Sequence, residues 1–137
     1  MTPDDDAIAG ILRDTKSIAV IGAGTDRFKP VYGVMSWLIS HGYDVYPVNP
    51  VAAGETVHGK TILADMGEIP APIDMVDCFR RSEFIPPVVE RAIEVGAKTV
   101  WMQLGVINDE AAAKARAAGM QVVMDRCPVI EWSRLGL

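Results

Sequence analysis

The sequence predicts an α/β fold built around a parallel sheet. Five short apolar segments alternate with amphipathic segments whose apolar residues have helical spacing, and turn residues follow each apolar segment. Strands that are apolar on both faces and alternate with helices are typical of a parallel sheet covered on both sides. We therefore predict a single Rossmann-like, doubly wound domain over residues 1–137, with an N-terminal helix in 1–16 and a core in 17–135. Its five-stranded parallel sheet carries helices on both faces.

Capping and stop residues set the ends of these elements, because Ser, Thr and Asn favour helix starts and glycine favours helix ends. In the first half we predict a helix capped by Thr2 and ending near Arg13, a strand over 17–21, a helix from Pro30 to a stop at Gly42, a strand over 43–48 and an irregular connection. In the second half we predict a strand over 74–79, a helix capped by Ser82, a strand over 99–102, a helix between Asn108 and Gly119, and a strand over 121–124.

Composition excludes several classes of function. The formal net charge of -5 argues against a nucleic-acid binder, which needs a basic face. The first residues are acidic where a secretory signal would be basic, and no apolar run approaches the length that spans a bilayer. We therefore expect a cytoplasmic protein that does not bind membranes. The two cysteines and two histidines have no metal-site spacing, so no metal is expected.

Ligands of doubly wound sheets bind at the carboxyl ends of the strands, where strand order reverses. The first loop at that edge, Gly22-Ala23-Gly24, begins like the G-x-G-x-x-G fingerprint of NAD-binding folds. However, Arg27 occupies the place of the third glycine, and the second strand ends in Asn49 rather than in an acidic residue. Both departures count against NAD.

The same loop predicts an anion site. Arg27 and Lys29 lie beside the glycine-turn amides and just before the helix that Pro30 begins. Backbone N–H groups, a helix N-terminus and two cations suit a pyrophosphate. One alternative stays open, in which the glycines only make a tight turn and the two cations are solvated surface charges.

Four longer segments carry a family resemblance: IAVIGAGTDRFKPVYGV, HGYDVYPVNP, DMVDCFRRSEFIPPVVERAIEVGAKTVWMQLGVINDEAA and VVMDRCPVIEW. With them the chain resembles, over nearly all of 17–135, the small stand-alone CoA-binding proteins, which are related to the CoA-binding domain of the succinyl-CoA synthetase α subunit. The resemblance implies a Rossmann-like fold and CoA as the ligand.

The resemblance also implies a set of CoA contacts. The phosphate site matches Gly22, Ala23, Gly24, Thr25, Arg27, Lys29 and Pro30. Asn49 and Pro50 match the segment bordering the nucleotide, Phe79, Arg80, Arg81 and Ser82 border the adenosine, Met102 and Gln103 match the next strand end, and Cys127 lies near the pantetheine arm. The chain has Ala23-Gly24 and Lys29-Pro30-Val31-Tyr32 where family members commonly carry serine residues, so backbone amides must replace hydroxyl contacts.

No catalytic constellation is evident. His41 is expected to cap helix carbonyls, His58 lies in a loop, and the acidic residues at the ligand edge are not paired. Cys127, beside Arg126, is either the site of a CoA mixed disulfide or a small apolar turn residue. We therefore expect a non-catalytic CoA or acyl-CoA binding protein. The alternatives are a small Rossmann-type NAD(P)-binding oxidoreductase or an acyl-CoA-handling enzyme, and a third is a degenerate fold that serves only protein contacts. A protein partner or a homo-oligomer stays open.

Overall fold

The computed structural model describes residues 3–137. Its strands are β1 (Ser17–Ile21), β2 (Asp44–Val48), β3 (Thr56–Val57), β4 (Lys60–Thr61), β5 (Met75–Cys78), β6 (Thr99–Met102) and β7 (Gln121–Val123). Its helices are α1 (Asp5–Asp14), α2 (Pro30–Ser40), α3 (Ile85–Glu94), α4 (Asp109–Ala117) and α5 (Pro128–Arg134). Single 3-10 turns cover Met66–Glu68 and Ser82–Phe84. No helix within residues 3–137 is long and apolar enough to cross a membrane.

Five strands form one parallel sheet in the order β2-β1-β5-β6-β7. The strand order reverses at β1, because β2 lies on one side of it and β5 on the other. The connections that leave β1 and β5 then run over opposite faces of the sheet, which opens a crevice at their carboxyl ends. The predicted doubly wound parallel sheet is confirmed.

Alternate residues of the strands pack into two separate cores. Ile18 and Val20 of β1 pack with residues of α1 and α2 on one face, and α5 closes the same core through Trp132. Ala19 and Ile21 pack with residues of α3 and α4 on the other face. Every residue of β1 is buried, as expected of a strand covered on both sides. Helices on both faces are thus confirmed.

Asp74 ties the amino ends of the central strands together. Its Oδ2 accepts hydrogen bonds from the backbone N–H groups of Lys16, at 2.9 Å, and Ser17, at 3.2 Å. Its Oδ1 lies 3.2 Å from Lys98 Nζ. Burial alone would raise the pKa of Asp74, but these donors hold it below its ordinary value.

Most predicted element ends agree with the structure within one or two residues, and Asn108 caps α4 as predicted, because its side chain accepts from the N–H of Ala111. Two caps were wrong. The N-cap of α1 is Asp4, whose carboxylate accepts from Ala7 N at 2.8 Å, while Thr2 lies outside the described residues. Ser82 begins a 3-10 turn and makes no side-chain cap for α3.

Two elements were missed from the sequence. The connection after β2 contains the antiparallel β3–β4 hairpin, whose turn residues His58 and Gly59 have φ values of 49° and 75°. The chain after β7 forms α5. A buried Glu131 holds this helix in place, since its Oε1 lies 2.6 Å from Arg126 Nη1 and 2.9 Å from Arg134 Nη2.

Candidate functional site

A pocket of about 480 Å³ lies at the carboxyl ends of β1, β5, β6 and β7. It spans the crevice between β1 and β5, where a doubly wound sheet places its ligand. Its lining residues are Gly22, Lys29, Pro30, Val31, Val34, Phe79, Arg80, Arg81, Gln103, Leu104, Val106 and Cys127. Eight of these twelve belong to the predicted CoA contacts, so segments distant in the sequence converge on this pocket.

The two glycines of the first loop have different local surroundings. Gly22 has a φ of 90°, and a Cβ at this position would overlap the carbonyl oxygen of Phe79. The fold itself therefore requires glycine here, where β1 and β5 come together. A Cβ at Gly24 would meet no protein atom within 4 Å, and its φ is not in the left-handed region. Protein packing therefore does not explain the glycine at 24, whose backbone is open to the edge of the sheet.

Asn49 supports the glycine loop from the end of β2. Its Nδ2 donates to the carbonyl of Ala23 at 2.9 Å, and its Oδ1 accepts from Val51 N at 3.0 Å. Ala23 itself is fully buried in the core. Both polar ends of the Asn49 side chain are thus engaged within the protein, which assigns Asn49 a positioning role beside the loop. Pro50, the next residue, is exposed.

Four cations surround this edge, and the part of the chain that the structure describes offers none of them an ion pair. Arg27, Lys29, Arg80 and Arg81 are all exposed, and no carboxylate lies within ion-pairing distance of any of them. Arg80 instead lies over the ring of Phe84, 4.9 Å from its centroid. A chain with a net charge of -5 therefore concentrates unpaired positive charge beside its pocket.

The N-terminus of α2 opens toward the same loop without a cap. Lys29 at the N-cap position makes no side-chain cap hydrogen bond, and the first turn has no acidic residue. By contrast, α1 and α4 are each capped by a side chain and have two acidic residues in the first turn. Pro30 has no N–H, and the N–H of Tyr32 donates to the Lys29 carbonyl at 3.1 Å. What this end of α2 offers an outside acceptor is therefore the N–H of Val31 and the positive end of the helix dipole.

A buried polar pair lies at the ends of β5 and β6. Asp77 is fully buried, and the end of the Gln103 side chain lies 2.9 Å from its Oδ1 and 3.3 Å from its Oδ2; with the amide nitrogen facing the carboxyl group, Gln103 donates to both oxygens. Burial raises the pKa of Asp77 well above its ordinary value. Gln103 lines the pocket, so Asp77 fixes a pocket residue from below. Met102 is fully buried in the core that β6 forms with α3 and α4, and it does not line the pocket.

Two further predicted contacts serve the loops. Ser82 Oγ accepts from Ile107 N at 2.9 Å, and the Ser82 carbonyl accepts from Asn108 Nδ2 at 2.9 Å, so Ser82 joins the loops after β5 and β6. Cys127 lines the pocket, but Arg126, its suggested activator, pairs with Glu131. Asp125 is exposed, and its Oδ1 accepts from Gly105 N at 2.7 Å, so it joins the loops after β6 and β7 and does not pair with Arg126.

The sequence analysis did not identify the apolar wall of the pocket. Val31 and Val34 come from the first turns of α2, and Leu104 and Val106 come from the loop after β6. Neither Val31 nor Val34 was among the predicted CoA contacts. Leu104 directly follows Gln103, which was a predicted contact, and this position was the available signal.

The chain is similar to several known proteins. A family model described as "CoA binding domain" matches residues 16–133. An uncharacterized protein, YneT, of Bacillus subtilis is 35% identical over 125 residues, which cover 91% of each chain. The α subunit of an ADP-forming acetate–CoA ligase I of Pyrococcus furiosus is 34% identical over 93 residues, 65% of this chain but 20% of that subunit. The solved structure of a hypothetical protein from Pyrococcus horikoshii is 40% identical and superposes with a TM-score of 0.93, covering 98% of this chain and 94% of that one.

The family match spans most of the chain, and it coincides with a pocket at the switch point of the sheet. The chain therefore belongs to the CoA binding domain family.

Proposed function

We propose that residues 1–137 act as one non-catalytic CoA-binding domain, which holds the nucleotide and diphosphate of CoA or an acyl-CoA at the carboxyl edge of its sheet. The observation that carries this proposal is an open glycine backbone beside unpaired cations. Gly24 has no protein atom against its missing Cβ, and Arg27 and Lys29 follow in the same loop without a carboxylate partner. A phosphate can approach such a backbone closely and be neutralised there.

The rest of the pocket accommodates the remainder of the ligand. The amides of 23–25 and the positive end of α2 at Pro30 bind the diphosphate, with Asn49 and Pro50 supporting them. The N–H of Gly22 already donates to the Val48 carbonyl at 3.0 Å, so Gly22 contributes space rather than a donor. Phe79, Arg80 and Arg81 border the adenosine, and Gln103 and Cys127 border the pantetheine arm. Ser82 and Met102 act indirectly, through the loop after β6 and the core. The thiol end faces outward, as suits a carrier, a sensor or a module that serves a protein partner.

The described side chains favour binding over catalysis. His41 Nδ1 lies 2.8 Å from the carbonyl of Trp37, and His58 Nε2 lies 2.8 Å from the carbonyl of Tyr32, so each ring is engaged outside the pocket. Asp77 is buried beneath Gln103. Against the NAD(P) alternative, the end of β2 presents Asn49, already bonded to Ala23, where an NAD site needs a carboxylate for the ribose.

Calorimetric titration of the reduced protein with CoA, 3′-dephospho-CoA, acetyl-CoA and NAD tests this proposal. We expect CoA to bind and NAD not to bind, and the dephospho comparison measures the contribution of the 3′-phosphate. Binding of NAD without CoA would favour the oxidoreductase alternative, and silence from all four ligands would overturn the proposal.

A double variant tests the loop itself. Arg27→Ala with Lys29→Ala should weaken CoA binding at least tenfold at low salt and flatten its salt dependence, since charge-assisted phosphate contacts are lost. Arg13→Ala with Lys16→Ala removes the same charge at the amino edge of the sheet and should leave the affinity nearly unchanged. Equal affinities in the two double variants would remove this loop from the phosphate site.

A further inference from the structure

The unpaired cations of the carboxyl edge all lie on one side of it, although exposed apolar residues such as Phe28, at 90%, and Phe84, at 44%, lie on that side too. The ends of β1 and β5 carry the four unpaired cations, Arg27, Lys29, Arg80 and Arg81. The loops that follow β6 and β7 contain one cation, Arg126. Glu131 neutralises it, since Arg126 Nη1 lies 2.6 Å from Glu131 Oε1. Within the described residues, therefore, positive charge that can bind an anion is confined to one half of the edge.

The other half, formed by the loops after β6 and β7, exposes aliphatic side chains together with the carboxylate of Asp125. Leu104 is 57% exposed although it lines the pocket, and Ile107, three residues further in the same loop, is 47% exposed. Ile130, on the first turn of the helix that follows Cys127, is 50% exposed. Inside the pocket this surface continues into Val106 and, across the cleft, into Val31 and Val34 of α2.

A ligand that fits both halves is anionic at one end and apolar at the other. Free CoA can occupy the cationic half, but it ends in a thiol and carries no aliphatic group to cover exposed side chains such as Leu104. Exposed aliphatic side chains that border a binding cleft commonly mark the place of an apolar group of the ligand. A thioester of CoA with an aliphatic acyl chain has both ends in one molecule.

We propose that the β6–β7 half of the edge is an acyl-chain site, so that the preferred ligand is an acyl-CoA with a medium-length aliphatic chain rather than free CoA. This inference rests on the proposed function and adds the ligand class. Lys29, Arg80 and Arg81 lie at the phosphate and nucleotide end, and the acyl chain runs over Leu104 toward Ile107.

The test is a calorimetric series with CoA, butyryl-CoA, hexanoyl-CoA and octanoyl-CoA, each below the concentration at which it forms micelles. Complete burial of one methylene strengthens binding about fourfold. On a surface that stays half open we expect about twofold per methylene, and hence roughly tenfold or more between butyryl-CoA and octanoyl-CoA. Octanoate without CoA should not bind measurably at the same concentrations.

Leu104→Ser locates the acyl chain, and the ratio of the octanoyl-CoA affinity to the CoA affinity is the readout. Leu104 is largely exposed, so the variant should fold normally and lose several-fold of this ratio. Val51→Ser is the matched control, because Val51 is 94% exposed after β2 and does not line the pocket, and it should keep the wild-type ratio.

The outcomes separate the two proposals. CoA that binds with an affinity independent of chain length overturns the acyl-chain site and leaves the proposed function standing. An unchanged ratio in Leu104→Ser likewise overturns the assignment of the chain to this half. Failure of CoA itself to bind overturns the proposed function, and the acyl-chain site with it.

Discussion

Replacing each glycine of the first loop by alanine should separate the requirements of the fold from those of the ligand. Gly22→Ala places a Cβ against the carbonyl of Phe79 and fixes a non-glycine residue at a φ of 90°. The left-handed conformation costs about 1–2 kcal/mol. The displaced Phe79 also strains the hydrogen bond from its N–H to the carbonyl of Ile21, now 2.9 Å long, which adds about 1 kcal/mol.

The total of roughly 2–3 kcal/mol should lower the Tm by about 8–12 °C for a chain of this size. Gly24→Ala should behave in the opposite way. Its Cβ meets no protein atom within 4 Å, and alanine restricts the unfolded chain, so stability should stay constant or rise by up to about 1 kcal/mol. The same Cβ occupies the space through which a phosphate approaches the backbone, so CoA affinity should fall at least tenfold.

Thermal unfolding followed by circular dichroism measures the first effect, and calorimetry with CoA measures the second. Wild-type Tm in Gly22→Ala would refute the close approach of Gly22 to Phe79. A destabilised Gly24→Ala would refute the open surroundings of Gly24. A stable Gly24→Ala variant with wild-type CoA affinity would show that the phosphates lie elsewhere.

Three further predictions concern the ends of the strands and the cysteines. Donors such as Ser17 N–H hold the pKa of Asp74 below its unfolded value of about 3.9. Asp74→Asn should therefore lower the free energy of unfolding by about 1–2 kcal/mol at pH 7. Denaturant unfolding should show this difference from the wild type shrinking below pH 4. Burial raises the pKa of Asp77, so wild-type stability decreases as pH rises above about 3.9. Asp77→Asn should therefore be more stable than the wild type at pH 7 but not at pH 3. An Asp77→Asn protein that is no more stable than the wild type at pH 7 would contradict the predicted direction of the stability change. N-ethylmaleimide should modify Cys127 slowly, and more slowly with CoA bound. Cys78 should stay unmodified, because it is fully buried and burial raises the pKa of its thiol. A second adduct in the intact mass would contradict the prediction for Cys78.

The sequence carried enough information for the sheet because strand signals in a parallel sheet are local. The run over 17–21 is apolar on both faces, and the structure buries each of its residues. The hairpin and α5 were harder for physical reasons. The two turn residues of the hairpin both have positive φ, but His58 stands where asparagine would have signalled such a turn. Helix α5 has seven residues, too few for a clear period, and only Pro128 marked its start.

The ligand edge was predictable as a set of loops, but not in the role of each side chain. The topological rule directs attention to the strand ends, and the pocket lies there. Whether a residue such as Met102 faces the pocket or the core depends on the pleat of its strand, and this residue packs into the core of α3 and α4. Ser82 looked like a helix cap because its hydroxyl suits that role, yet its partner is Ile107 N, 25 residues away. Such contacts depend on tertiary structure.

The position of Asp74 has a consequence for engineering and evolution. Its hydrogen bonds join strand beginnings at the edge opposite the pocket, so a main contributor to strand alignment shares no residue with the loops that contact ligand. Changes in those loops are therefore free to alter ligand preference without weakening this clamp. The loops after β6 and β7 are accordingly suited to replacement by segments of other composition, with the opposite edge kept as a constant scaffold.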